Sequence, residues 1–470
     1  MFRLFEPGRG GIGLLAGLLL FAAGALSAAA APPNLSAYHQ PPWLVTPGRQ
    51  LAISYGLLPN GVTGTLYVRN DLERSFTRLR LAPGTYCPGD PVDAATMRRD
   101  KLCGKALVGQ VPGRIVAGSR LYYYAVLHDG TRTTTVPSGG AARPQRIWIV
   151  GHPVDVSLGT HRFGHLRAPG SIVAHAGPKQ VGLSCCADPP GGDGPSSFDI
   201  ARDGSIWVLD KLNQRLLVWQ PGMTGRPARS IQLPKRLEVD DLALGADGTV
   251  YVRAADTGDL SRAVDKSHLY ALTVAGKVRW IASRPLGIPT GQLQMGPDGV
   301  LYAAQACGET CAPFGGNVAW MPLTTPTGRR LSLTERALRA SPFEPLPGGL
   351  RLVSELSYTV ARFALIDRND QVVRAWRVTS RTQLGGMRAA PALAGGELVV
   401  PLDVSSGTQW EQVMLQLDAS GGTQFSLAGR TVLGGNLVSP LRIGQDGRLY
   451  QLRTDTRTGV TIAAYPLGSS

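Results

Sequence analysis

Asp-Gly steps followed by an apolar, alternating run recur through the second part of this 470-residue chain. Asp203-Gly204 precedes "SIWVLD", Asp247-Gly248 precedes "TVYVRA", Asp298-Gly299 precedes "VLYAAQ" and Asp446-Gly447 precedes "RLYQL". Between the last two, Gly395-Gly396 precedes "ELVVPLD", and "LRLVSELSY" near Leu350 fills one more period. Each unit continues with a third strand, a turn and a fourth strand. Examples are "RLLVWQ" and "ARSIQL" in the first, "HLYALTV" and "VRWIAS" in the second, and "NVAWMPL" and "RRLSL" in the third. Four strands at a period of about 40–50 residues is the pattern of a β-propeller. One such sheet cannot bury both of its faces alone, and stacking around an axis buries them. The expected class is all-β: an N-terminal β-sandwich followed by a six-bladed β-propeller, with seven blades as the alternative.

Composition agrees with many short strands joined by turns: charged residues are 17%, with 59 Gly and 35 Pro. Residues 44–143 read as the sandwich. There "RQLAISYGLL", "GTLYVRND", "SFTRLRLA", "KALVGQVPG", "GSRLYYYAVLHDG" and "RTTTVP" alternate between Gly, Pro and Asn turns. Residues 144–470 read as the propeller. Its last unit ends at "TIAAYPLGSS", its third strand, so a strand from elsewhere must complete the sheet. The expectation is that residues 144–150 of "PQRIWIVGHP" do so, pairing with residues 460–466. Residues 144–193 carry no Asp-Gly hairpin and are rich in Gly and Pro, which argues against a seventh blade.

Residues 1–31 have the form of a secretory signal peptide. Arg3 and Arg9 precede an uncharged apolar stretch, then "ALSAAAA" supplies small residues at a cleavage site. Residues 32–43 are a linker. No Cys precedes Cys87, so no lipid-modified N-terminal Cys is expected, nor a stable membrane anchor after cleavage. The expected location is secreted or extracytoplasmic. Export makes disulfides plausible among Cys87, Cys103, Cys185, Cys186, Cys307 and Cys311, for which fifteen pairings exist. Proximity favours Cys87–Cys103. For the other four, a vicinal Cys185–Cys186 bridge with Cys307–Cys311 and cross-loop pairing both stand.

The first unit resembles an NHL repeat through Phe198, Asp199, Asp203, Gly204, Ile206, Val208, Asp210, Asn213, Arg215 and Trp219. The second resembles a quinoprotein-type repeat in "LYALTVAGKVRW" and "PTGQLQMGPDGVLYAA". The strand "LYYYAVL" with "HDGTRTTTVP" resembles the last hairpin of immunoglobulin-like and fibronectin type III modules, without a Cys–Trp–Cys framework. The combination resembles secreted bacterial proteins and implies no particular activity. Vicinal cysteines also sit over the cofactor in some quinoprotein dehydrogenases, but the matched Glu/Asn/Asp metal set and rich Trp motifs of those enzymes are missing. No cofactor is expected.

Few residues point to chemistry. Asp188 and Asp193 sit in "GLSCCADPPGGDGPSS", a loop expected to lead into the first blade on the funnel side. Glu238, Asp240 and Asp241 form an acidic cluster, for which turn and cap roles are the default. His152, His161, His165 and His175 lie close together but among Gly and Pro, so they read as loop histidines and no metal is expected. No catalytic set can be named. The net charge is +15 with Arg dominant, and it reads as evenly spread, without the Arg–aromatic interleaving of a nucleic-acid groove. The expected role is an exported binding or scaffold protein whose propeller loop face recognises a protein or glycan, with no nucleic-acid partner. The alternative is a propeller enzyme: a quinone-dependent dehydrogenase, a lyase or a lactonase.

Overall fold

The computed structural model describes residues 39, 42–56, 58–86, 104–130, 132–184, 193–234, 237–256, 267–283, 292–306, 318–332, 335–336, 343–356, 359–387, 391–407, 409–427, 440–444 and 446–467. Two sheets packed face to face begin the described chain. One contains strands Leu51–Gly56, Ala82–Tyr86 and Gly104–Val111. The other contains Leu44–Val45, Thr63–Asn70, Thr77–Arg80, Arg120–Asp129, Arg132–Val136 and Gln145–Ile149. Alternation decides what fills the space between them. Along Arg120–Asp129 the residues Leu121, Tyr123, Ala125 and Leu127 are fully buried, while Tyr122, Tyr124 and Val126 point outward. The inward set meets Ile53, Tyr55, Leu107 and Val111 of the facing sheet. So the triple-tyrosine run divides: Tyr123 is core and its two neighbours are surface.

Six further sheets follow, and four of them open with the same turn. Gly204, Gly248, Gly299 and Gly447 have φ of 80°, 76°, 75° and 71°, the left-handed conformation that this turn requires and that glycine adopts without strain. In each, the preceding Asp accepts a hydrogen bond from the backbone N–H two residues on, at Ser205, Thr249, Val300 and Arg448. Tyr302 and Tyr450 donate their hydroxyls back to Asp298 and Asp446 at 2.8 and 2.6 Å. The repeat is therefore a local hydrogen-bonded unit before it is a blade.

Consecutive sheets bury one another's faces. Val208 and Trp219 of the first sheet share a core with Leu452 and Ile462 of the last. Trp207 and Leu209 pack on Val239, Leu242 and Val252 of the second, which in turn packs Tyr251 and Leu269 on Leu293 and Leu301 of the third. Phe363 and Trp376 of the fourth meet Leu398, Val400 and Leu415 of the fifth. Val399 and Met414 of the fifth meet Leu449 and Tyr465 of the sixth. Trp207, Trp219 and Trp376 all lie in these shared cores. Among the described residues the third sheet has three strands, Gln292–Met295, Leu301–Ala306 and Val318–Pro322, and "RRLSL", expected as its fourth, contributes the isolated bridge of Thr324 to Arg330.

The closing strand is not where the sequence places it. Gln145–Ile149 pairs antiparallel with Arg120–Asp129 and parallel with Leu44–Val45, inside the N-terminal sandwich. Residues 144–150 therefore do not pair with residues 460–466. Both faces of this strand are claimed: Ile147 and Ile149 enter the sandwich core, and Trp148 and Val150 face the propeller. The last sheet is completed instead by Ser171–Ala176, antiparallel to Gly459–Pro466. This strand ends a belt. Between the sandwich and the first propeller sheet, Val154–Ser157 adds a parallel outer strand to the fourth sheet at Trp376–Thr379. Leu166–Arg167 does the same for the fifth sheet at Ser426–Leu427, and Ser171–Ala176 closes the sixth. A stretch rich in Gly and Pro cannot form four strands of one blade, but it supplies one short edge strand to each of three sheets.

The sandwich docks on the fourth propeller sheet. Trp43, Leu44, Trp148 and Val150 bury against Val353, Ala364, Ile366 and Ala375. Glu355 accepts hydrogen bonds from the backbone N–H groups of Trp43 and Leu44. Asp370 pairs with Arg146 and with Arg351, each at 2.5 Å, and its carbonyl accepts the Trp148 indole N–H at 3.1 Å.

Candidate functional site at the propeller axis

One arginine marks the axis. Arg442 lies on Leu441–Ile443, the first strand of the last sheet. Its guanidinium donates to three carbonyls at 3.1 Å each: Phe198 of the first sheet, Leu242 of the second and Leu293 of the third. These residues lie on the first, innermost strands of their sheets. A side chain that reaches three neighbouring sheets from a fourth must cross the centre of the ring. It also stands 3.7 Å from Asp199 and 4.0 Å from Asp241.

The two carboxylates have further work. Asp199 accepts the N–H groups of Ile200 and Leu244 at 2.8 Å. Asp241 accepts the Ser197 hydroxyl at 2.6 Å and the Leu293 N–H at 2.5 Å. Each therefore ties one sheet to the next. Burial raises the pKa of Asp199, and Arg442 with the two N–H groups only partly offsets that effect.

A bulge at Asp240, between Val239 and Asp241, turns adjacent carboxylates to different tasks. Asp240 pairs with Arg253 at 2.8 Å, and burial raises its pKa against that charge. The sequence grouped Glu238 with these two. Strand pairing places its backbone opposite Ala255, and its side chain lies outside the described set. Asp193 pairs with Lys211 at 3.2 Å and forms a backbone bridge with Ser184. Ser196, three residues on, donates to the Asp240 carbonyl at 2.8 Å. Asp188 and all six cysteines, Cys87, Cys103, Cys185, Cys186, Cys307 and Cys311, lie outside the described residues.

The NHL-like residues act structurally. Asp210, fully buried, accepts from Asn213 at 2.9 Å, from Arg215 at 2.8 Å and from the Gly182 N–H at 3.0 Å. The Asp-x-x-Asn-x-Arg element thus holds its own turn and the chain entering the first sheet. The histidines separate. His161 bonds Glu411 at 2.8 Å and its backbone N–H donates to Thr382, which pins the belt to the fifth sheet. His175 lies on the closing strand, and His152 and His165 are exposed. Among the described residues no three metal-ligating side chains converge.

One acid at the axis differs from the rest. Glu344, on the first strand of the fourth sheet, is 3% exposed, and burial raises its pKa far above the ordinary value. It shares a hydrogen bond with Gln294 of the third sheet, which opposes that shift. Its Oε1, and Oε1 of Gln294, have no hydrogen-bond partner among the described residues. Sequence reading missed Arg442 and Glu344, and the strings "PLRIGQDG" and "PFEPLPGG" offer no signal that either reaches the axis. Chemically the arrangement is a braced core: one cation compensates two anions, and backbone amides occupy the remaining lone pairs.

No family model and no curated protein matches this chain. Solved structures do. A catalytically inactive virginiamycin B lyase from Staphylococcus aureus with quinupristin is 15% identical, covering 58% of this chain and 84% of that one at a TM-score of 0.30. A DUF4784 family protein from Bacteroides caccae is 9% identical, covering 91% and 94%, at 0.23. A prolyl endopeptidase structure is 13% identical, covering 75% and 49%, at 0.31. The molecule is an all-β protein of the β-propeller class with a β-sandwich docked to its side.

Proposed function

We propose that the protein is exported and acts as a binding or scaffold protein, with the propeller's long-loop face recognising a protein or a glycan. The observation that supports this reading is Arg442. By joining the innermost strands of four sheets it makes the ring a stiff platform, and its two carboxylate partners are committed to holding that platform. The Asp-Gly turns close one side of the ring tightly. Strands Val250–Asp256 and Leu301–Ala306 end, and Ser267–Leu272 and Val318–Pro322 begin, at the side opposite those turns, where the Asp193–Ser197 segment also enters the first sheet. Longer connections on a rigid scaffold are where recognition concentrates. A ring of six blades, an immunoglobulin-like sandwich and an oxidising compartment with disulfide-bonded cysteines belong to the same reading.

The test is saturable binding of the purified mature chain to a panel of immobilised glycans and cell-surface proteins, repeated with Asp193→Lys/Lys211→Glu. The expected result is a ligand whose affinity falls in that variant while the melting temperature holds. Turnover of a sugar, alcohol or lyase substrate with a defined pH optimum overturns the reading. Glu344 keeps the enzyme alternative specific: any such turnover should vanish in Glu344→Gln. Export itself is tested by intact mass. A mature chain beginning near Ala31 or Pro32 without lipid is expected, and a mass that includes residues 1–25 refutes it.

A further inference from the structure

The outer face of the six-stranded sandwich sheet gathers aromatic side chains together with part of the arginine charge that reads as evenly spread in the sequence. The register brings them together. Tyr67 lies opposite Arg78 on one side and Tyr124 on the other, and Arg69 lies opposite Tyr122. Tyr67 and Tyr124 stack with ring centroids 4.6 Å apart and planes 1° from parallel. Phe76 meets Tyr124 edge-on at 5.1 Å. The guanidinium of Arg78 caps Tyr67 at 5.6 Å, and that of Arg69 lies 4.6 Å from Tyr122 and 5.2 Å from Phe76. Arg80, opposite Thr65, continues the row, and Arg78 and Arg80 are exposed.

The charge on this face is uncompensated. Arg69, Arg78 and Arg80 make no ion pair among the described residues. Besides Arg120, the outward positions of Thr63–Asn70, the edge strand Thr77–Arg80 and Arg120–Asp129 hold Thr63, Thr65, Tyr67, Arg69, Arg78, Arg80, Tyr122, Tyr124, Val126 and His128, with no carboxylate. Arg120 and Arg146, at the far side of the same sheet, are turned to the propeller through Asn369 and Asp370. Cation–π contacts hold Arg69 and Arg78 in place without neutralising them, and Arg69 also donates one guanidinium nitrogen to the Asn70 and Glu73 carbonyls at 3.2 and 3.1 Å. The result is a pre-organised row of guanidinium donors, which suits planar anionic groups.

We propose that this face binds an anionic polysaccharide, a chain carrying carboxylate or sulfate groups. Charge complementarity selects an anion. The ring geometry selects a sugar over a nucleic acid. Single-stranded nucleic acid needs open aromatic faces on which bases stack. Here the Tyr67 and Tyr124 faces cover one another and Arg78 covers Tyr67. What remains for a ligand is guanidinium N–H groups, phenolic edges and the Thr65 hydroxyl, all hydrogen-bonding partners for acidic, hydroxylated rings. The site is independent of the propeller loop face, so either can hold when the other fails.

The test uses the full mature chain and three probes: heparin or polygalacturonate, neutral dextran, and an oligo(dT) strand. Because the whole chain carries +15, a charge-matched control is essential. Arg78→Ser/Arg80→Ser is compared with Arg162→Ser/Arg226→Ser, exposed arginines on the propeller. The expected result is binding of an acidic polysaccharide and not of dextran. It should weaken with salt, fall about tenfold or more in the Arg78/Arg80 variant, and change little in the control. Tyr67→Ser should weaken it as well, by releasing Arg78. Equal losses in both arginine pairs, or no acidic polysaccharide bound, overturns the proposal. Tighter binding of oligo(dT) than of either polysaccharide, abolished by Tyr67→Ser, overturns it in favour of nucleic acid.

Discussion

Replacing Arg442 by Met tests the axial brace most directly. Methionine keeps much of the side-chain length, so the defect reports charge and hydrogen bonding more than lost volume. The change deletes three hydrogen bonds to carbonyls of three sheets and the cation facing Asp199 and Asp241, whose side chains are 18% and 0% exposed. Leaving a buried charge without its partner costs about 3–5 kcal/mol. The orphaned carbonyls add to that only where water cannot reach them, so we take about 4 kcal/mol as the expected loss. For a unit of this size that is a fall of roughly 5–10 °C in melting temperature. The loss should also depend on pH. Burial already raises the pKa of Asp199 above its ordinary 3.8, and Arg442 opposes that rise. Without Arg442 the value climbs further. A carboxyl whose folded pKa is raised contributes its stability below the unfolded value and loses it as pH rises through the folded one. The Arg442→Met defect should therefore be smallest near pH 4 and grow towards neutrality, with the pKa shift itself setting the window. Calorimetry of variant and parent from pH 4 to 8 reads both effects. A variant within about 1 kcal/mol of the parent at every pH refutes the brace.

Three further outcomes follow from the closing strand, the domain interface and the sandwich core. Gly459 has φ of 93°, and a Cβ there would lie 2.0 Å from the Ala176 carbonyl oxygen on the closing strand. Gly459→Ala should cost more than about 2 kcal/mol by chemical denaturation, whereas Gly407→Ala, also at positive φ but in open space, should cost about 1 kcal/mol. Asp370 is held ionised because hydrogen bonding to Arg351 and the charges of Arg146, Arg351 and Arg120 outweigh its burial. Asp370→Asn tolerates the backbone φ of 63° but removes the charge. It should destabilise domain docking by about 1–2 kcal/mol, seen as proteolysis between the domains and a larger radius of gyration in solution scattering. His39 donates from Nδ1 to the Ser54 carbonyl, and in the neutral state that burial favours its Nε2 accepts the Tyr123 hydroxyl. Burial lowers its pKa from 6.5 to about 4. Unfolding then takes up a proton, and stability falls as pH drops from 6.5 to 4, by about 3 kcal/mol from this group. In His39→Gln the acid-side loss should be smaller by that amount; an unchanged profile removes His39 as its source.

The sequence was readable wherever a strand's partner is its neighbour in the chain. The turns at Asp203-Gly204, Asp247-Gly248, Asp298-Gly299 and Asp446-Gly447 form from groups within a few residues. They fix hairpins that need only a stack of similar sheets to become stable. The same logic made the Asp210–Asn213–Arg215 element visible, although its role proved to be holding a turn. Asp193 was visible only as an acid in a loop. Its pairing with Lys211 depends on where the loop returns to the first sheet.

What closes the ring could not be read that way. "RIWIVG" has apolar residues on both faces, and local periodicity does not say whether its edge meets residue 122 or residue 463. Two cores decided it, one on each side of the strand: Ile147 and Ile149 fill the sandwich, and Trp148 fills the docking interface. That left Ser171–Ala176 to meet Gly459–Pro466. Arg442 and the guanidinium–tyrosine row are products of tertiary structure for the same reason. Their partners come from different strands, and only the assembled ring and sheet register bring three carbonyls within reach of Arg442 and set Tyr67, Tyr122 and Tyr124 beside Arg69 and Arg78. The chain's local pattern determined what kind of pieces it makes, because hairpins are set by nearby hydrogen bonds. Which edges meet, and which charges face each other across the axis, were decided by the burial of surfaces that only the folded assembly possesses.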